Sequence, residues 1–213
     1  MNINQLIETI HVSIHEANRD YANWTGGWWL QAYGVEGFLV SRIADGIMNP
    51  KNTNRPGFLT LETSFSELYD VCGLPRGRRS KHSKNNNRID IALYHKNESL
   101  SHVIEVKRFW SPACSDDLLR LSSLYKKFSK SLGNGNLKEA LFIQLVNVSS
   151  KRSPSTIHEK LNTYFESIEK RCTNIINKAE LNCQLYKGTD YCNAIVLDDN
   201  TEAFSSFCLR LLP

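Results

Sequence analysis

Two short runs constrain this chain more than anything else in it: Arg88-Ile89-Asp90-Ile91-Ala92-Leu93-Tyr94 and His102-Val103-Ile104-Glu105-Val106-Lys107-Arg108-Phe109. Both are rich in β-branched residues and alternate apolar with polar, the pattern of neighbouring strands with a covered face. Side chains two apart share a face, so Ile89, Ile91 and Leu93 are expected on one side and Asp90 on the other. In the second run Ile104 and Val106 share one face, and Glu105 and Lys107 share the opposite one. Lys96-Asn97-Glu98-Ser99 between them is turn chemistry, which makes a hairpin the natural reading. Paired strands lie about 5 Å apart. With matching registers, Asp90, Glu105 and Lys107 therefore converge on a single side of the sheet.

Such a cluster suits cleavage of a phosphodiester. Paired carboxylates hold a hard divalent cation, which neutralises charge developing at phosphorus and acidifies a bound water. A neighbouring lysine either orients or deprotonates that water, or stabilises transition-state charge. A free lysine titrates near about 10.4. Acting as a base therefore requires burial or the metal to lower that value; otherwise the role is electrostatic.

Around the hairpin, apolar Ile3, Leu6, Ile7, Ile10 and Ile14 at helical spacing predict a helix over about 2–18. Asn23-Trp24-Thr25-Gly26-Gly27 is a turn, and a second helix is expected over 28–48, closed by Asn49-Pro50. Residues 58–66 alternate as a strand. Asp116–Leu132 is expected to be helical, with Leu118, Leu121, Leu124, Tyr125 and Phe128 on one side, and Ala140–Val148 to be an apolar strand. A helix over 155–178 and late β segments at Asn193–Leu197 and Phe204–Leu212 complete the order. That order predicts an α/β sandwich with a mixed central sheet rather than a βαβ repeat.

Asp90, a gap of 14 residues, and then Glu105-Val106-Lys107 resemble the D…(D/E)xK signature of the PD-(D/E)xK, or restriction-endonuclease-like, nuclease superfamily. Members of that superfamily carry these positions on adjacent strands. The chain has a single (D/E)xK triplet, and it falls in a β run directly after an Asp-bearing one. Ile89 stands where the family frequently has proline before the Asp. The resemblance covers about residues 28–148. It implies an αβββαβ core with a mixed central sheet flanked by helices, and a Mg²⁺-dependent endonuclease in which Mn²⁺ substitutes. Asp90, Glu105 and the backbone carbonyl of Val106 would be metal ligands and Lys107 catalytic. Relatives commonly place an acidic residue on the first core helix, and Glu36 matches it. Glu36 lies amid Trp29, Ala32, Tyr33, Leu39, Val40, Ile43, Ala44 and Ile47 on the apolar stripe of the expected 28–48 helix. A carboxylate there needs compensation, from the metal site or, at the stripe's margin, from Arg42 or solvent. Glu62 is the fallback acidic ligand, and Gln144 occupies a position where some relatives place a polar helper.

The basic run 76–88 carries Arg76, Arg78, Arg79, Lys81, Lys84 and Arg88 and no acid. It leads directly into Asp90, so its charge is expected to meet substrate phosphates; Lys126, Lys127 and Lys130 could extend that surface. Trp24, Trp28 and Trp29 suit either base stacking or core anchoring, burial being favoured. His11 and His15, at i and i+4, have metal-ligand spacing but no evident third ligand.

With 213 residues, 41% hydrophobic and 23% charged, the chain has the size and composition of one soluble domain. A single domain is expected over 1–213: a helical extension at 1–27, the core at 28–148 and a C-terminal helix and strands at 149–213. The formal net charge of +4 permits a nucleic-acid partner without demanding one. No apolar run approaches the roughly 18 residues of a membrane span. The N-terminus lacks the features of a secretory signal, so a cytoplasmic protein is expected. Six cysteines without a CxxC pair read as reduced, mostly buried thiols. Nucleic acid is the expected partner, DNA ahead of RNA, with no membrane and room for a homodimer. The alternatives are a non-cutting nuclease-like fold that binds nucleic acid or protein, and a toxin or defence component.

Overall fold

The two runs become neighbouring strands near the middle of a six-stranded sheet. The computed structural model of the chain describes residues 2–74, 87–133, 135–150, 154–188 and 201–213. In chain order its elements begin with α1 (Ile3–Thr25), α2 (Leu30–Tyr33), α3 (Glu36–Met48), β1 (Phe58–Ser64) and α4 (Phe65–Val71). There follow β2 (Arg88–Tyr94), β3 (Leu100–Lys107), α5 (Ala113–Phe128), β4 (Glu139–Ser150), α6 (Pro154–Lys178), β5 (Asn182–Lys187) and β6 (Thr201–Leu212). Across the sheet the order is β1-β2-β3-β4-β6-β5. Only β3 and β4 run parallel, joined by α5 as a crossover; the other neighbours are antiparallel. The architecture is thus α/β, with an open, mixed sheet flanked by helices.

Alternation along the central strands divides the apolar residues between two layers. Ile91, Leu93, Ile104, Val106, Leu141, Ile143 and Leu145 pack with α1 and α3. Val103, Phe142, Val146, Phe207 and Leu209 pack with α4, α5 and α6. Fully burying residues such as Leu39, Ile43 and Ile47 of α3 contributes about 1.5–3 kcal/mol each. β6 lies between β4 and β5, so the C-terminal segment is woven into the sheet.

The expected 28–48 helix is two. The Gly34 N–H closes on the Leu30 carbonyl, and the chain then runs extended through Gly34 and Val35 before α3 begins. A Cβ at Gly34 would sit 2.8 Å from the Leu30 carbonyl oxygen, so the turn is tight enough to require glycine. Gly34, Gly37 and β-branched Val35 together weaken helix propensity where the break falls. Ala32 and Tyr33 are consequently exposed rather than part of a stripe. α1 runs past residue 18 to Thr25 and ends on Gly26 in the left-handed conformation, φ 74°.

Two elements were not anticipated. α4 starts at a Ser64–Glu67 capping box, a signal present in the sequence as S-x-x-E. β5 is a short edge strand with weak alternation. The β segment expected at 193–197 lies outside the described residues. Ile89 also departs from expectation, packing with Phe65 and Leu68 in the layer opposite Ile91 and Leu93. The ladder is irregular there: Glu62, across from Asp90, has φ 52°, and no β2–β3 partner continues beyond Ile91 and Ile104.

Candidate active site

The irregularity that displaces Ile89 is what opens the hairpin at Asp90. Where a ladder bond to β3 would continue, the Asp90 carboxylate accepts the Val106 N–H at 2.6 Å. A strand residue directs its N–H and C=O to the same flank. The Val106 carbonyl therefore lies on the Asp90 side of β3. Glu105 and Lys107, two apart on β3, face α5, as their alternation with Ile104 and Val106 requires.

Glu105 is buried, 2% exposed, and its Oε1 accepts from two cations, Lys107 Nζ at 2.9 Å and Arg120 Nη2 at 2.7 Å. Its Oε2 is equally buried and has no hydrogen-bond partner. Lys107 also reaches Asp117 at 3.2 Å and Glu36 at 3.4 Å. Arg120 Nη1 closes the network on Asp117 at 2.8 Å. Glu36, at the first turn of α3, accepts the Arg108 N–H at 3.1 Å. The break at Gly34–Val35 thus aims the N-terminus of α3 and its carboxylate at the end of β3. Glu36 is half-exposed rather than buried on a stripe, because it sits at the first turn of α3, over the end of β3. Arg42, the other partner considered for it, pairs instead with Asp20.

Four acids (Glu36, Asp90, Glu105, Asp117) face two bases (Lys107, Arg120), and the imbalance shapes their protonation. Burial, reinforced by the Glu105 charge, pushes the Asp90 carboxyl up to about 7. Burial also raises the Glu105 carboxyl, against the opposing pull of Lys107 and Arg120. At Lys107 burial works to lower the ammonium, but Glu105, Asp90 and Glu36 outweigh it and hold the proton on well above the usual range. In this arrangement Lys107 is a cation and not a base.

Asp117 and Arg120 are the residues that sequence reasoning missed. Asp117 stands four residues before Leu121 and seven before Leu124, on the buried face of α5, and the cue was the one applied to Glu36: a charge on an apolar stripe. Gln144 pairs in register with Lys107 but turns to α6, where its Nε2 donates to the Tyr164 hydroxyl at 2.7 Å. Glu62 is exposed and makes none of the cluster's ion pairs. Arg76, Arg78, Arg79, Lys81 and Lys84 lie outside the described residues, and Arg88 is exposed at the start of β2. Trp29 is buried as expected, but Trp24 and Trp28 are 68% and 51% exposed. His11 donates to or accepts from Ser206 at 2.7 Å on the far side of α1, and burial lowers its imidazole to about 4.

The donors present fit a hard divalent cation. Asp90 carries a carboxyl whose ionisation needs a counter-charge, Glu105 has a buried oxygen without a partner, and the Val106 carbonyl shares their flank. Among the described residues no group of three or more His, Cys, Asp or Glu side chains is placed to hold a metal ion, so any cation here would have at most two such side-chain ligands. Oxygen-rich sites with few protein ligands, completed by water and a phosphate, are the usual habit of Mg²⁺.

Fold and site together define an α/β protein whose open, mixed sheet carries a buried acid–base cluster at the end of its central hairpin. No family model, curated protein or solved structure matches the chain. Among the described residues no helix is long and apolar enough to cross a membrane.

Proposed function

We propose that this chain is a metal-dependent nuclease of the PD-(D/E)xK, restriction-endonuclease-like type that hydrolyses nucleic-acid phosphodiester bonds, with DNA as substrate. The observation that carries the reading is that Glu105 and Glu36 meet at Lys107 beside Asp90, while one buried oxygen of Glu105 has no partner. The element order from α3 through β4, helix, three strands, helix and strand, agrees with the αβββαβ core of that type once the short α4 is set aside.

Asp90, Glu105 and the Val106 carbonyl would hold Mg²⁺ or Mn²⁺, which would supply Lewis-acid stabilisation and a more acidic bound water. Lys107, held protonated, contributes positive charge beside the phosphate and orients the attacking water by donating to it. Glu36 and Asp117 fix the ammonium from two sides, so its position costs no reorganisation when substrate arrives.

A non-cutting binder of nucleic acid is the second reading, and one observation favours it. Glu105 is already paired to two cations, an arrangement that is self-sufficient without metal. One assay separates the two: plasmid and RNA incubated with the protein in Mg²⁺, Mn²⁺ or EDTA, beside Lys107→Ala. The nuclease cuts with either metal and stops in EDTA. Undiminished cutting by thoroughly chelated protein would sink the metal mechanism, and binding without cutting in every condition would favour the second reading.

A further inference from the structure

The double pairing of Glu105 has a consequence for how metal enters. Arg120 Nη2 sits 2.7 Å from Glu105 Oε1 while its Nη1 sits 2.8 Å from Asp117, so one guanidinium bridges a strand carboxylate and a helix carboxylate. Lys107 spans the same two groups at 2.9 and 3.2 Å. Two unit cations therefore crowd one side of Glu105, while the other oxygen of that carboxylate is buried and bare.

We propose that Arg120 is the resident counter-cation of Glu105, displaced when a divalent cation binds, with Asp117 keeping hold of it. The proposal rests on the reading of Asp90 and Glu105 as metal ligands and adds what regulates their occupancy. A divalent cation on Glu105 would face the guanidinium across one carboxylate. The guanidinium keeps its charge at any working pH, so Arg120 relieves that repulsion by moving. Asp117 makes the movement small. It lies three residues before Arg120 on α5 and already binds Nη1, so Nη2 can leave Glu105 without the side chain leaving the site. Arg120 then satisfies Glu105 in the metal-free fold, where a buried carboxylate with one partner fewer would be costly. The cost is weaker metal affinity, set by how readily the guanidinium yields.

Mn²⁺ alone is the probe. Free Mn²⁺ is followed by EPR during titration of the intact chain, Arg120→Gln and Arg120→Lys, with no nucleic acid present. Removing the competitor should tighten binding by about tenfold in Arg120→Gln, within the usual span of coupling between two ligands. Arg120→Lys keeps the charge but cannot bridge both carboxylates with two arms, so it should also bind more tightly than the parent, by a smaller factor. Equal affinity in the parent and Arg120→Lys would reduce the effect to general field and overturn displacement. Weaker binding by Arg120→Gln would make Arg120 a structural brace and overturn it too. Metal taken by Arg120→Gln but not by the parent would mean that the guanidinium blocks the site rather than yielding, and overturns displacement. Should neither chain nor variant bind Mn²⁺, the metal reading falls and this inference with it; binding by all three with the same constant overturns this inference alone. If Arg120→Gln does not fold, Arg120→Lys carries the test by itself.

Discussion

Asp90 holds its proton into the neutral range because burial and the Glu105 charge both disfavour the carboxylate. Between its ordinary 3.8 and about 7, the metal-free folded chain binds a proton that the unfolded chain has released. The stabilisation this provides is complete below 3.8 and is lost as pH rises through 7. A divalent cation needs the ionised form, so the Mg²⁺-induced rise in Tm should grow from pH 6 to pH 8. In Asp90→Asn the metal-free pH slope should flatten and the Mg²⁺ shift should vanish. A shift that is independent of pH in the parent would remove Asp90 from the ligand set. Lys107 predicts a different pattern, since Glu105, Asp90 and Glu36 hold it as a cation against burial. Lys107→Ala should bind substrate nearly as well yet cut slower by about 10² or more, as read in single-turnover cleavage. Equal rates in variant and parent would place the chemistry elsewhere. Glu36→Gln keeps the shape of a half-exposed group at a helix N-terminus. Its stability should fall by no more than about 1 kcal/mol, the scale of a helix-dipole interaction, while cleavage drops; a larger loss in urea unfolding would mean its tie to Arg108 is a structural support.

On the nuclease reading, the residues that would meet substrate differ from those that hold the cluster. Replacing Arg78, Arg79 and Lys81 with Ala should weaken nucleic-acid binding and flatten its dependence on salt, because a protein that neutralises fewer phosphates releases fewer counterions. An unchanged salt slope in filter binding would return the 76–88 run to a solvated role. The exposed aromatic rings from the end of α1 to α2 are a second place where the proposed substrate would bind. Trp24 packs edge-to-face on Phe38 at 5.3 Å and Trp28 on Tyr33 at 4.2 Å, and edge-to-face pairs leave ring surface uncovered. Tyr33 stands three residues before Glu36, so this aromatic turn adjoins the cluster along the chain. Single-stranded oligonucleotide should quench the tryptophan fluorescence more than duplex does, and Trp24→Phe with Trp28→Phe should abolish the difference. Equal quenching by both forms would assign these rings to another partner or to none.

At the scale of the whole molecule, the hairpin and the shared face of Glu105 and Lys107 were legible in the chain. The period-two alternation of Ile91, Leu93, Ile104 and Val106 requires one face to be covered, and that places Glu105 and Lys107 together on the other. The strand after α5 was legible too, because nine largely apolar residues from Ala140 to Val148 need cover on both faces, but its parallel pairing with β3 was not. Tertiary structure decided what alternation cannot express. Asp117 and Arg120 join the site only because the β3–α5–β4 crossover lays one particular face of α5 over Glu105. Local periodicity specifies which helix residues share a face but not which strand residue they meet. The same holds at Glu36, whose distance of 71 residues from Lys107 is closed by the break at Gly34 and the packing of α3 on the sheet. Protonation went with it: burial alone would have lowered the Lys107 ammonium, and Glu105, Asp90 and Glu36, from three elements, hold it up instead. Side-chain periods follow from backbone geometry and are local, whereas electric fields sum over everything nearby in space. The chain by itself therefore determined the central strands and, Ile89 apart, the faces of their side chains, and only the fold determined the charge each group carries.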